Sequence, residues 1–184
     1  MQQETTTVAE FDQVVSHCLE IFKKKTLDYG TAWRVYRPIS IADQIYIKAK
    51  RIRTIQEKGS QKVGDDIKSE FQGILNYAII GLIQLELPFD EPEQLMHNEA
   101  EKLYNEKVGE CRALMLDKNH DYGEAWREMS QQAFADLILA KVLRIKQIID
   151  NSGVTLVSEG IAANFHDILN YAAFALILMM EGKQ

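Results

Sequence analysis

The chain has 184 residues, 46% of them apolar, and a formal net charge of −6. That apolar content can fill the core of one large or two small domains, which excludes a disordered chain. The acidic balance argues against a nucleic-acid polymer as partner, since binding through phosphates needs an excess of Lys and Arg. A local basic patch is still compatible with a single nucleotide.

In chain order, the opening Met1-Gln2-Gln3-Glu4 lacks the basic stretch and apolar run of a secretory signal, and no uncharged apolar run approaches the length of a membrane span. The sequence therefore predicts a cytoplasmic protein that does not enter a membrane. Cys18 and Cys111 form no metal or redox spacing motif and are expected as buried thiols. A first helix is expected over 8–27, ending near Asp28-Tyr29-Gly30, where glycine can adopt the left-handed conformation that closes a helix. A second follows over 40–58, with Ile41, Ile45, Ala49 and Ile52 in one stripe. Ser40 and Asp43 are placed to cap its start. The third, 65–86, is apolar around much of its circumference, as in Ile79-Ile80-Gly81-Leu82-Ile83, and is expected in the centre. A linker over 88–98 then leads to three further helices over 99–119, 133–151 and 158–181.

Shifting the chain by 93 positions lays Lys25-Thr26-Leu27-Asp28-Tyr29-Gly30-Thr31-Ala32-Trp33-Arg34 on Lys118-Asn119-His120-Asp121-Tyr122-Gly123-Glu124-Ala125-Trp126-Arg127, with seven identities in ten. The same shift carries Asp43 onto Asp136, Lys48 onto Lys141 and Arg51 onto Arg144. After one extra residue, Phe71 through Ala78 align with Phe165 through Ala172. The chain is thus a tandem duplication of a three-helix unit, 1–87 and 99–184. The fold class expected is all-α, a pseudo-twofold bundle of about six main helices with the third helices packed across the axis. Duplication supplies internally what a dimer supplies by association, so both a monomer and a homodimer are compatible with it.

The polar residues that recur in this frame admit two readings. Trp33 and Trp126 either plug their loops onto the bundle or stack on a base, and Tyr29 and Tyr122 share that choice. Lys25 and Lys118 stand one turn before an Asp, placed for an exposed ion pair or for a phosphate. Lys141 and Arg144, three apart on one face, call for a phosphate or a carboxylate from a neighbouring helix. In the last helix Glu159, Asp167, Asn170 and Tyr171 lie on one broad side. Acids there are costly to bury alone. They either pair with Lys141 and Arg144 or hold a divalent cation such as Mg²⁺ through oxygen ligands. The first repeat has Gly73 in place of Asp167, so chemistry is expected in the second repeat.

These signatures, Lys118-Asn119-x-Asp121-Tyr122-Gly123-x-x-Trp126, Lys141-x-x-Arg144, Glu159 and Asp167-x-x-Asn170-Tyr171-Ala172, resemble the nucleotide modification-associated domain of type one. The resemblance covers nearly the whole chain, once per repeat, and implies an all-α protein of nucleotide or modified-nucleotide metabolism. The layout is also similar to all-α nucleoside triphosphate pyrophosphatases of the MazG and dimeric dUTPase type, though their Glu-x-x-Glu and Glu-x-x-Asp pairs are not found at the aligned helices. The resulting expectation is a nucleotide-binding protein, with Mg²⁺-dependent phosphohydrolysis as its catalytic form. In it Asp121, Glu159 and Asp167 are catalytic, and Glu159 and Asp167 bind the metal. Lys118, Lys141 and Arg144 contact phosphate, while Tyr122, Trp126, Asn170 and Tyr171 shape the nucleotide pocket. The competing expectation is a non-catalytic helical adaptor, with Asp136 paired to Lys141 and Asp167 to Arg144.

Overall fold

A computed structural model describes residues 2–62, 64–88 and 94–183, with side chains from residue 6 onward. It contains six α-helices: α1 (Gln2–Tyr29), α2 (Pro38–Lys58), α3 (Ile67–Glu86), α4 (His97–Tyr122), α5 (Gln131–Asp150) and α6 (Ile161–Met180). Single 3-10 turns at Ala32–Val35 and Ala125–Glu128 carry the two tryptophans, and no strand occurs among the described residues. Residues 89–93 of the expected linker lie outside the described residues.

The helix ends follow local chemistry. Gly30 and Gly123 both sit at positive φ, +66° and +63°, as the break after each Asp-Tyr requires. Asp66 caps α3 by accepting from the Ser69 backbone N–H at 2.7 Å, and Ser130 caps α5 by accepting from Ala133 N–H at 3.2 Å. The cap expected from Ser40 and Asp43 does not form, because α2 starts earlier, at Pro38, with Arg37 at its N-cap. Proline fits that first turn, where its missing N–H would have no intrahelical acceptor.

The pattern of burial explains the packing. Helices α3 and α6 are apolar on most of their surface and pack most extensively on each other, flanked by α2 and α5, which also touch across the pseudo-axis. Helix α6 is long and apolar enough to cross a membrane by length and composition alone; here it is a core helix, with 72% of its apolar window buried. Outside this four-helix centre, α1 packs on α6 as well as α3, and α4 on α3 as well as α6. Each repeat's first helix therefore clasps the other repeat.

Two ion pairs, one partly buried and one exposed, mark the internal symmetry. Lys146 on α5 meets Asp43 on α2 at 2.5 Å, and Arg53 on α2 meets Asp136 on α5 at 3.5 Å. Positions 43 and 136, and 53 and 146, are equivalent under the 93-residue shift, so the two bridges exchange partners across the axis. The expected Asp136–Lys141 pair is replaced by this exchange.

The third helices approach each other closely at the centre. A Cβ built on Gly81 of α3 would lie 2.7–2.9 Å from three ring carbons of the fully buried Phe165 on α6, well inside normal contact. Overpacking there costs about 1–3 kcal/mol, against about 1 kcal/mol gained by replacing a helical glycine. Gly81→Ala should therefore lower unfolding free energy, by up to about 2 kcal/mol, in urea titration. Adding Phe165→Leu should recover part of the loss, as coupled neighbours do.

Candidate functional site

The polar chemistry gathers where the second helix of each repeat faces the third. In the first repeat Lys48 Nζ donates to Glu70 Oε2 at 3.0 Å, and the Arg51 guanidinium pairs with the other oxygen of the same carboxylate. Arg51 also donates to the Asp65 carbonyl at 2.6 Å. Glu70 is buried, so its two cationic partners are what allow its charge to persist there.

The second repeat solves the same problem one turn further along. Asn164 stands at the position of Glu70, and Asp167 at the position of Gly73. Asp167, also buried, receives Lys118 Nζ on one oxygen and Lys141 Nζ on the other, each at 2.5 Å. Burial alone would raise this carboxyl, but the two ammonium groups outweigh it and hold it below the usual carboxylate range. Arg144 is exposed and has no ion-pair partner among the described residues, so the expected Asp167–Arg144 pair is replaced by two lysines. The neighbouring Asn164 donates instead to the Gly160 carbonyl at 2.9 Å.

This swap changes the space around the first-repeat lysines. A cavity of about 410 Å³ opens between α1, the Trp33 turn, α2 and α3. Trp33, Tyr29, Tyr36 and Tyr77 form aromatic walls, and Lys25, Lys48, Asp65 and Glu70 bring charge to it. The phenols converge: burial raises the Tyr77 hydroxyl, and Tyr36 and Tyr29 add to the rise. Lys25 is exposed at the rim and has no ion-pair partner among the described residues. Gln84 secures the Trp33 wall, since its amide accepts from Arg34 and donates to the carbonyls of Arg34 at 3.0 Å and Tyr36 at 2.8 Å.

The second repeat has no such aromatic cavity among its described pockets. Phe174 replaces Ile80, stacks on Trp126 at 4.3 Å between centroids and fills the equivalent space, while the Arg127 guanidinium lies 4.4 Å over the Trp126 ring. Met129 stands where Tyr36 stands, and Tyr122 points to solvent with 78% of its surface exposed. Its cleft, of about 690 Å³, lies instead between the end of α5 and residues 151–160, lined by Lys141, Arg144, Asn164 and Glu159 beside Leu156 and Val157.

The remaining expected residues scatter. Asp121 is exposed and pairs with its neighbour His120 at 3.1 Å. Glu159 is exposed in the cleft. Asn170 is buried and its amide finds no hydrogen-bond partner among the described residues. Its first-repeat equivalent, Asn76, donates to the Cys18 carbonyl at 3.0 Å and accepts from the Tyr104 hydroxyl at 2.8 Å. The residue equivalent to Tyr104 is Phe11, which has no hydroxyl to offer Asn170. Tyr171 is half-buried beside Asp167 and Lys118. Both cysteines are buried thiols; burial pushes Cys18 up to about 12, and Cys111 lies 2.9 Å from the partly buried His166 ring.

The residues offered for Mg²⁺ do not form a donor set for it. Both oxygens of Asp167 already accept from ammonium groups, and no cluster of three or more His, Cys, Asp or Glu side chains among the described residues could hold a metal. Of the two acids offered, Asp167 already holds two ammonium groups, which compete with any cation for its oxygens.

Comparison with known proteins agrees with this internal symmetry. The family described as nucleotide modification associated domain 1 matches residues 25–85 and again residues 118–179. The chain belongs to that family and carries two copies of its domain. Searches of curated proteins and of solved structures return no significant match.

Removing the second-repeat carboxylate should reveal its structural weight. Asp167→Asn leaves Lys141 largely buried opposite a neutral amide, and hydrogen bonds to charged groups contribute about 1.5–3 kcal/mol. A loss of about 2 kcal/mol is expected at about pH 7 in urea titration. The folded Asp167 carboxyl titrates below its unfolded value, so its contribution is complete above the unfolded range and falls away as pH drops below about 4. The gap between wild type and variant should narrow over that window; a gap that widens on acidification would show that Asp167 is not held ionised.

Proposed function

We propose that the protein binds a nucleotide, or a related small phosphorylated molecule, in the cavity of the first repeat, and so serves nucleotide or modified-nucleotide metabolism. The observation that carries this reading is the combination of an aromatic lining, Trp33 and three tyrosines beside Phe22, with the unpaired Lys25 ammonium in one cavity. Its volume, about 410 Å³, lies in the range of small-molecule sites. Aromatic faces accept any base, and phenol hydroxyls can donate to its polar edge or to a sugar. A point cation at the rim suits a phosphate. Membership of a nucleotide modification associated family supports the same ligand class.

Hydrolysis lacks comparable support, because the acids expected to hold Mg²⁺ are dispersed or already paired. Binding is the reading this donor set favours. The adaptor reading keeps one specific observation in its favour, the Lys118–Asp167–Lys141 triad, whose charges satisfy one another. In the combined view the first repeat binds and the second supports it.

Isothermal titration with nucleoside mono-, di- and triphosphates, with and without Mg²⁺, tests this. At least one should bind, and Lys25→Gln should weaken it about tenfold, or about 1.4 kcal/mol. Gly73→Asp, which installs the second repeat's acid beside Lys25 and Lys48, should abolish binding, whereas Lys118→Gln should leave it unchanged. Absence of any nucleotide response, or equal sensitivity to Lys118→Gln, would sink the assignment.

A further inference from the structure

The two repeats hold the same pair of lysines in different states. Lys25 and Lys48 occupy the positions of Lys118 and Lys141. In the second repeat both ammonium groups converge on one carboxylate, at 2.5 Å each. In the first, the residue in place of that aspartate is Gly73. A Cβ built on Gly73 would lie 2.8 Å from Lys48 Cε and 3.1 Å from its Nζ, so the lysine runs directly over bare backbone. Lys25 meanwhile has no ion-pair partner among the described residues.

We propose that the first-repeat cavity takes a single phosphate group, as in a nucleoside monophosphate, between Lys25 and Lys48 over Gly73, the place that the Asp167 carboxylate fills in the second repeat. The second repeat is then the self-filled form of the same site. This inference rests on the nucleotide-binding reading for the rest of the ligand, and adds which phosphorylation state the site selects.

Charge fixes that state. The lining carries two ammonium groups, Lys25 and Lys48, against two carboxylates, Asp65 and Glu70, and the Arg51 guanidinium on Glu70 brings the local formal sum to one positive charge. One phosphate ester, with a charge of about −1.5 to −2, meets one free ammonium and one shared with Glu70. Each further phosphate would bring more negative charge beside Asp65 and Glu70 with no additional lysine or arginine in the lining to meet it. The aromatic walls are unaffected by that choice, so a common nucleoside portion should bind in either case. The closed state of the second repeat is supported twice, by Asp167 on the lysines and by Phe174 in the space beside Trp126.

Two arms test the proposal. In the first, adenosine and thymidine 5′-monophosphates are titrated into the wild-type chain without Mg²⁺ and compared with the matching triphosphates. The monophosphate should bind at least about tenfold tighter. A triphosphate that binds as tightly or more tightly overturns the proposal. In the second arm, the melting temperature of Asp167→Ala is followed against inorganic phosphate, with chloride at equal ionic strength as reference. Phosphate should raise it by more than it raises wild type, because an anion can now enter between Lys118 and Lys141. The excess should vanish when Lys118→Gln is added and survive when Lys25→Gln is added; the wild-type response also removes the general stabilisation of compact states by excluded phosphate. No excess in Asp167→Ala overturns the proposal. Should that variant fail to fold in chloride, its recovery on refolding into phosphate, blocked by Lys118→Gln, gives the same decision. If neither nucleotide binds wild type, the nucleotide reading fails, and the phosphate arm still decides whether the paired lysines form an anion site.

Discussion

In each repeat a buried carboxylate on the third helix holds two cations: Lys48 and Arg51 of the second helix in the first repeat, Lys118 of the first helix and Lys141 of the second helix in the second repeat. Without them each carboxylate would be an uncompensated charge at the edge of a low-dielectric core. The first repeat supplies Glu70 and the second supplies Asp167, one helical turn apart. That displacement decides much else. Glu70 engages Lys48 and Arg51 and leaves Lys25 free, while Asp167 engages Lys118 and Lys141 and leaves Arg144 free. The same scaffold therefore exposes a different cation in each half, and only one of the two stands at an aromatic cavity.

The interlocked packing gives this divergence a firm base. Since α3 and α6 share the central contact, with Gly81 receiving the Phe165 ring, neither repeat can shift its third helix without disturbing the other. The asymmetry around the cavity lies in side chains: Glu70 against Asn164, Gly73 against Asp167, Tyr36 against Met129, Ile80 against Phe174. Four substitutions distinguish the hydroxyl-lined cavity from its counterpart. A duplicated chain can make such changes in one half while the other preserves the shared core, an option closed to a symmetric homodimer.

Helix number, order and the central place of the third helices were readable in the sequence because period and duplication are both pattern properties. The interhelical pairing of charges was not. Asp43 reads in the sequence as a helix cap, and only the antiparallel crossing of α2 on α5 brings it to Lys146 and Arg53 to Asp136. Glu70 is hidden for a different reason: Asn-Tyr-Ala recurs in both repeats, but the acid three residues before it stands only in the second, and Glu70 lies a turn earlier, outside the shared pattern. Aligning the third helices at their 94-residue offset places Glu70 opposite Asn164, and that exchange was available as a signal.

The open cavity illustrates a more general constraint on reading function from repeats. A residue missing from a signature is easily taken for decay, as with Gly73 where Asp167 stands in the other copy. Physically, a buried carboxylate held by two lysines has no unoccupied oxygen with which to bind a cation and leaves those lysines no spare charge for an anion. Where Gly73 stands, Lys48 crosses the backbone to reach Glu70 and Lys25 is left at the cavity rim. Each copy thus leaves one cation outside its ion pairs, Lys25 in the first and Arg144 in the second, and only the first of these lines the aromatic cavity.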